Sequence, residues 1–502
     1  MCTSVSSSAV NTSAFSVRDA GLGAILAMLA ACTVGPNFVR PAPPAADRYT
    51  LEPTQPETIA ADGRAQRFAR EGMVTSDWWR LFNSAQLDAL VRQAISNSPT
   101  LQAQEANLRQ SQDNLRAGYG VFFPQLDAQF TATRERSAPS HQGLAIPATI
   151  FNLVTLSGTV SYALDIFGGE RRTVEGLKAQ VDYQRFTAGA AYLSLSANVV
   201  NAGIARAAYA AQIRSTEELI ELEMQQLGVT EVQFRSGTAA YANVLSVRSL
   251  IATDQSALAP LKQRMNQSEH LLAILEGVAP SQVQLPEIDF ANLSLPLDLP
   301  LSLPSELVHQ RPDVLSAEAQ VHAASAQIGV ATAAMFPSIS LSGTYGAGSS
   351  SFSGLSAASG RFWSIGPSAS VPLFQGGRLW YGRQAAIDAY QASELSYRQT
   401  VLVAFAQVAD SLDALQHDAE ALRSQLEAQR TAAEALHLLQ ANYEAGTVAY
   451  LDVLVADVQW HQASIAALKS LAQRYQDTVA LLVALGGGWW NEPHSEERDG
   501  AP

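Results

Sequence analysis

The residue types that most often carry chemistry are dispersed in this chain. Its eight histidines are His141, His270, His309, His322, His417, His437, His461 and His494. None stands in an H-E-x-x-H or comparable metal-ligand spacing. Asp457 and His461 lie one helical turn apart and could share a metal, but a pair on a helix surface is the plainer reading. Gly486-Gly487-Gly488 lacks the Lys-Ser/Thr that follows the glycines of a phosphate loop, so it reads as a helix stop. No G-x-S-x-G nucleophile elbow occurs. No catalytic constellation stands out, and no cofactor or metal is implied.

One residue does invite chemistry. Cys32 closes the sequence Leu29-Ala30-Ala31-Cys32, directly after the apolar run Ala20–Ala31. That run is too short to span a bilayer, yet it fits the core of a signal peptide. Residues 1–31 are therefore expected to be a leader, cleaved before Cys32, with the thiol and the new amino group acylated. The bland alternative is an ordinary leader with an incidental cysteine. Arg18 is the leader's only base and Asp19 stands beside it, while residues 1–16 are Ser-rich. The true start is therefore expected nearer Val17. The only other cysteine is Cys2, so there is no disulfide framework.

Composition narrows the rest. Of 502 residues, 47% are apolar and only 16% charged, with a formal net charge of −14. Soluble domains usually carry about 25% charged residues. Here Ala, Ser, Gln and Leu fill the gap, a mixture that suits long helices with mildly polar faces. An acidic chain without a basic stripe is unsuited to nucleic acid.

An internal repeat organises the chain. Pro99 and Pro124 have the spacing of Pro312 and Pro337, and Leu108, Leu115 and Phe123 match Val321, Ile328 and Phe336 at one offset. Gly168-Gly169 answers Gly376-Gly377. Phe234-Arg235-Ser236-Gly237-Thr238 answers Tyr443-Glu444-Ala445-Gly446-Thr447, and Gly277 answers Gly486. The expected organisation is an N-terminal extended segment 32–75, a first repeat 76–283, a Pro/Leu-rich linker 284–304, a second repeat 305–488 and a tail 489–502. Each repeat is expected to hold a β-hairpin (about 121–166 and 337–374) and a long helical hairpin (about 169–277 and 377–486).

The strands alternate. Leu126, Ala128, Phe130 and Ala132 interleave with Gln125, Asp127, Gln129 and Thr131. Gly158, Val160, Tyr162 and Leu164 do the same, as do Ile339, Leu341 and Tyr345, and then Trp363, Ile365, Ala369 and Val371. Period two means one apolar and one polar face. Either the sheet is half-buried on a soluble domain, or it is part of a transmembrane barrel, apolar toward lipid and polar toward a lumen. Strands of about ten residues suit a tilted crossing. Four strands cannot close a barrel, which needs about eight, and lipid forbids an open edge. If the strands span a membrane, several copies must share one barrel.

The helices are long. From about Gly169 to Gly228 no proline intervenes, which gives roughly 90 Å of rod. Apolar residues recur at Val174, Leu177, Val181, Tyr192, Leu195 and Val199. On the returning helix they recur at Val244, Val247, Ile251, Leu258, Leu261, Met265, Leu272 and Leu275. This is a coiled-coil seam with occasional skips. Rods of this length must pack against other rods, in a tunnel or in a lumenless stalk.

Several stretches resemble the TolC-like outer-membrane factors, in particular their NodT-type lipoprotein branch. They are Cys32-Thr33-Val34-Gly35-Pro36-Asn37-Phe38, Trp78-Trp79-Arg80-Leu81-Phe82, Leu164-Asp165-Ile166-Phe167-Gly168 with Arg171-Arg172, Pro372-Leu373-Phe374-Gln375-Gly376-Gly377-Arg378, and Gly446-Thr447 with Tyr450-Leu451-Asp452-Val453-Leu454. The ordered set covers nearly all of residues 32–488. The resemblance implies an α+β membrane protein whose four strands per copy build a twelve-stranded barrel in a homotrimer, continued by a helical periplasmic barrel. It implies an outer-membrane exit duct, anchored through acylated Cys32 and passively conducting small molecules for an inner-membrane RND pump. Protein export beside an ABC transporter, and a non-conducting lipoprotein stalk, remain as alternatives.

The resemblance also assigns roles. A periplasmic adaptor would dock on the turns Ser236-Gly237-Thr238 and Ala445-Gly446-Thr447, where Gly permits a left-handed backbone and Thr can cap the next helix. Phe167, Gly168, Gly169, Gly376 and Gly377 would form the strand–helix junctions. A Leu and an acid constrict the family's closed end; Leu451 matches the Leu. The family's acid falls where this chain has Val455, so Asp452 and Asp457 are the candidate substitutes. A ring of Leu can close a lumen by dewetting, and a ring of Asp can hold cations.

Overall fold

A computed structural model describes residues 33–53, 55–61, 63–69, 74–137 and 147–489. The expected leader 1–31, Cys32, His141, His494 and the tail beyond Trp489 lie outside the described residues. In chain order the principal elements are β1 (Arg67–Ala69), α1 (Ala85–Asn97), α2 (Pro99–Gly118), β2 (Gln125–Ser137), β3 (Thr149–Leu164), α3 (Gly169–Arg235), α4 (Tyr241–Leu275), β4 (Asp298–Pro300), α5 (Pro312–Ala333), β5 (Ser338–Ser349), β6 (Arg361–Ser370), α6 (Arg378–Glu444) and α7 (Tyr450–Ala484). The chain is α+β, and its duplication is plain in the lengths. α3 and α6 have 67 residues each, and α4 and α7 have 35 each. At the helical rise, 67 residues make a rod of roughly 100 Å.

β2, β3, β5 and β6 form one antiparallel sheet in that order. Its register converts the alternation of each strand into two whole faces. Leu126 lies opposite Val160, Phe130 opposite Leu156, Tyr162 opposite Leu341, and Tyr345 opposite Trp363. The intervening rows pair Gln125 with Ser161, Ser161 with Ser342, Thr159 with Thr344, and Ser340 with Ser368. Hydroxyl pairs tie the polar face, 3.0 Å between Thr159 and Thr344 and 2.9 Å between Ser340 and Ser368. A slip of one residue would move every apolar side chain to the polar face. The apolar face is bare: Leu126 is 74%, Trp363 73% and Ile365 71% exposed. β2 and β6 end the sheet, and among the described residues no strand of this chain pairs with their outer edges. Among the same residues no helix is long and apolar enough to cross a membrane.

The chain forms two compact, interleaved units. One comprises the described part of 1–41 with Gln110–Asp182 and Ala319–Leu395, and contains the sheet. In it an extended strap, residues 33–38, is pinned beside the start of α3. The Val34 N–H donates to the Phe167 carbonyl at 3.0 Å. Arg172, 5% exposed, donates to Asn37 Oδ1 at 2.8 Å and to Glu175 at 2.7 Å. Glu175 in turn meets His322 Nε2 at 3.1 Å, and the His322 ring stacks on Phe38 at 4.2 Å. The strap lies so close to α5 that a Cβ on Gly35 would stand 2.5 Å from the Gly329 Cα.

The other unit comprises residues 42–109, 183–318 and 396–502 where described. α1 starts on Ser84, whose hydroxyl accepts from the Leu87 N–H at 3.2 Å. It buries Leu87, Leu90, Val91 and Ala94 at helical spacing. The core gathers Trp78, Phe82, Phe290 and Tyr475, with Tyr475 donating to the Leu293 carbonyl. Arg474 is fully buried and donates to Gln66 Oε1 at 2.9 Å and Thr58 Oγ1 at 3.2 Å. The parallel pair β1–β4 lies in the same unit. α7 ends where sequence reading put its stop: Gly486, Gly487 and Gly488 all take positive φ.

Gly329→Ala would place a Cβ 2.6 Å from Arg172 Cγ, an overpacking cost of about 1–3 kcal/mol. The expected result is a loosened strap, read as faster amide exchange at Val34, whose N–H is bonded to the Phe167 carbonyl; exchange at the wild-type rate would contradict the strap's anchoring.

Candidate functional site

The two hairpin turns are built alike. After α3, Gly237 takes φ +77°, and after α6, Gly446 takes φ +75°. The left-handed region suits glycine because it has no Cβ. Around the first turn, the Gln233 carbonyl accepts from the Thr238 N–H at 2.9 Å and the Thr238 hydroxyl at 3.0 Å. Around the second, the Asn442 carbonyl accepts from the N–H and the hydroxyl of Thr447, both at 2.9 Å. An aromatic pair closes each hairpin: Phe234–Tyr241 at 5.2 Å and Tyr443–Tyr450 at 5.3 Å.

This corrects one expectation. Thr238 and Thr447 do not cap the following helices, whose N-caps are Ala240 and Ala449. They satisfy the last carbonyls of the preceding helices, which have no intrahelical donor. Ser236 contributes through a 3.0 Å contact with the Thr238 hydroxyl. All six turn residues, Ser236, Gly237, Thr238, Ala445, Gly446 and Thr447, are exposed. A Cβ at Gly237 or Gly446 would meet nothing within 4 Å, so the glycines answer to backbone angle, not to crowding.

The three gate candidates have different settings. Leu451 is half-buried. Asp452 is exposed, and one carboxylate oxygen accepts from the Ala449 N–H at 3.0 Å. It completes the first turn of α7, where an acid also favours the helix dipole. Asp457 turns inward to His461, with 3.8 Å between Oδ1 and Nε2. Burial raises its carboxyl above the ordinary range, against the opposing influence of His461. Val455, where the family carries its acid, is 43% exposed. Of the two acids, Asp452 is therefore the one whose side chain stands out from α7.

At the first strand–helix junction, Phe167 stacks on Phe336 at 4.8 Å, and Gly168 takes φ +78° with Thr33 packed where a Cβ would be. Asp165 does the capping. Its two oxygens accept from the N–H groups of Glu170 and Arg171, the first beyond Gly169, at 3.1 and 3.0 Å. At the second junction Gly376 and Gly377 have φ +55° and +85°, and Leu373 and Phe374 are almost fully exposed. Asp165 and Arg172 stand inside the junction motif and Asn37 inside the opening one. The contacts of Asn37 and His322 carry no local signal, because their partners are remote in sequence, and Glu175 lies one turn from Arg172, a spacing common to any helix surface. Among the described residues no three His, Cys, Asp or Glu side chains are grouped to hold a metal.

Comparison with known proteins agrees over most of the length. A family model described as outer membrane efflux protein matches residues 90–278 and 303–487. The pyoverdine export outer membrane protein OpmQ of Pseudomonas aeruginosa is 30% identical over 476 residues, covering 93% of this chain and 97% of that protein. The cation efflux system protein CusC of Escherichia coli K12 is 27% identical, covering 92% and 97%. Among solved structures, the outer-membrane channel OprN superposes with a TM-score of 0.80 at 26% identity, over 91% of this chain and 100% of that one.

Gly446→Ala forces a side chain into the left-handed region, which costs about 1–2 kcal/mol. Amide exchange at the α6–α7 turn is expected to quicken while the sheet is unaffected; an unchanged turn would contradict its reading as glycine-dependent.

Proposed function

The chain belongs to the outer membrane efflux protein family, and on that premise we propose that it works as a homotrimeric exit duct in a tripartite RND-type efflux system. Members of the family are outer-membrane channels, and this chain is the outer-membrane, exit-duct component. The observation that carries the finer reading is the sheet: one bare apolar face, one hydroxyl-lined face and two unpaired edges. In water such a sheet would aggregate; in lipid it must close with other strands. Three copies supply twelve strands, enough for a barrel wide enough to conduct.

Conduction is passive. An inner-membrane pump supplies the energy, and a periplasmic adaptor docks on the exposed turns at Gly237 and Gly446. The turns suit this because each is an exposed, hydrogen-bonded turn at the end of two long helices. Leu451, one residue into α7, is the gate: three copies around an axis form an apolar ring that excludes water and ions. Asp452 stands beside it as the acidic ring, and Asp457, engaged with His461, contributes less. The relatives named above are described as exporting pyoverdine and cations; the cargo of this chain is of the same general kind, small molecules delivered by its pump.

The strap supports the anchor reading. Thr33 lies against Gly168 and Val34 is bonded to Phe167, at the end of β3. An acyl group on Cys32 would therefore enter the membrane at the level where the strands give way to helices. That placement would let the lipid and the barrel share one leaflet.

Leu451→Ala and Leu451→Ser should raise the resting conductance of the purified protein in planar bilayers several-fold. A closed-state leak equal to wild type would contradict the gate assignment.

A further inference from the structure

Within the α3–α4 hairpin, two acids occupy places that coiled-coil geometry reserves for apolar side chains. On α3 the seam runs Ile220, Glu223, Leu227, and on α4 it runs Ile251, Asp254, Leu258, each at three-then-four spacing. Ile220 and Ile251 belong to a buried apolar cluster that Leu227 and Leu258 extend. Glu223 is fully buried. Neither of its carboxylate oxygens has a hydrogen-bond donor, and Asp254 Oδ2 has none either.

Among the described residues no donor relieves them. The hydroxyls of Thr216 and Thr230 are spent on the carbonyls of Gln212 and Gln226. The basic side chains of this stretch are engaged elsewhere, Arg248 with Glu231 and Lys262 with Glu217, each at 2.8 Å. Among the described residues, Asp254 is the one charged group that acts on Glu223, and no cation from any other element opposes it. Two ionised carboxylates in such a layer would suffer both desolvation and mutual repulsion. A single proton removes one charge and creates the missing donor, an O–H from one carboxyl to the other.

We propose that Glu223 and Asp254 form a proton-binding site that clamps the α3–α4 hairpin across its seam, so that the hairpin is tight while the proton is shared and loosens when it leaves to water. Burial first, and then Asp254, push the Glu223 carboxyl from 4.5 up to about 8. A carboxyl raised on folding stabilises the folded state below its ordinary pKa, and that stability is lost as pH rises through the raised value. The hairpin is therefore tightest in acid and loosens on approach to about pH 8. The second repeat carries a related pair at a non-equivalent position, Asp418 on α6 with Asp477 on α7. Burial and Asp477 raise Asp418 to about 7 there, but Arg474 opposes the shift. The first pair has no such cation, so it is the sharper switch.

The test is hydrogen–deuterium exchange on the purified full-length protein at about pH 6 and about pH 9, corrected for intrinsic chemical exchange. In the wild type, amides of α3 and α4 flanking the pair should exchange about tenfold faster, or more, at the higher pH. In Glu223→Gln, which keeps the shape and supplies a permanent N–H donor, that ratio should fall to about one; Asp254→Asn should act likewise from the opposite helix. A wild type without the acceleration, or a Glu223→Gln variant that retains it, overturns the proposal. Infrared spectra of the wild type at neutral pH should also show a protonated-carboxyl carbonyl band that weakens in Glu223→Gln, and an unchanged band overturns the assignment. Neither readout depends on conduction or on assembly, so this proposal and the channel reading fail separately.

Discussion

The structure depends on one constraint, the hydrogen bonds that the outer edges of β2 and β6 do not make with any strand among the described residues. Each edge presents N–H and C=O groups that cost several kcal/mol apiece if stranded in hydrocarbon. The register across all four strands leaves one face apolar and exposed. That face asks for lipid, and lipid makes the open edges untenable. Membrane residence and assembly are thus one requirement, which the proposed assembly would meet by placing the β6 edge of one copy beside the β2 edge of the next.

The duplication extends this logic to the helices. Two 67-residue helices and two 35-residue helices repeat one plan, and the turns repeat it to the level of single hydrogen bonds. In each, a glycine goes left-handed, a threonine returns to the carbonyl five residues back, and an aromatic pair closes the hairpin. The repeats diverge where one is joined to the N-terminal strap. Arg172, Glu175 and His322 hold Asn37 and Phe38 in the first unit, whereas at the α6 start Arg378 bonds only locally, to Gln375, among the described residues. A strap of this kind ties residues 33–38 to the start of α3 without lengthening any strand.

Much of this was legible in the residues because local signals were strong. Alternation from Leu126 to Ala132 marked β2, and the paired Gly-Thr turns marked the hairpin ends. The alternation marks β3 only from Gly158, whereas the strand begins at Thr149. Ile150-Phe151 and Leu153-Val154 place apolar residues side by side, which hides period two. The strap's latch was not legible, since Arg172 and Asn37 are 135 positions apart and only folding joins them. Thr238 and Thr447 were read in the wrong direction, because an exposed turn has orphan carbonyls as well as orphan N–H groups. Asp254 was visible only as a skip in the apolar seam of α4; that skip was the signal of the buried acid pair.

The most direct test pairs cysteines across the two edges. One cysteine replaces Thr131 on β2, and a second is moved in turn along β6 from Phe362 to Ser370. Oxidation in outer-membrane preparations is predicted to give covalent dimers and trimers at alternate β6 positions, with no disulfide closing inside one copy. Monomers alone, or a disulfide joining β2 to β6 of the same chain, would contradict a barrel shared between copies.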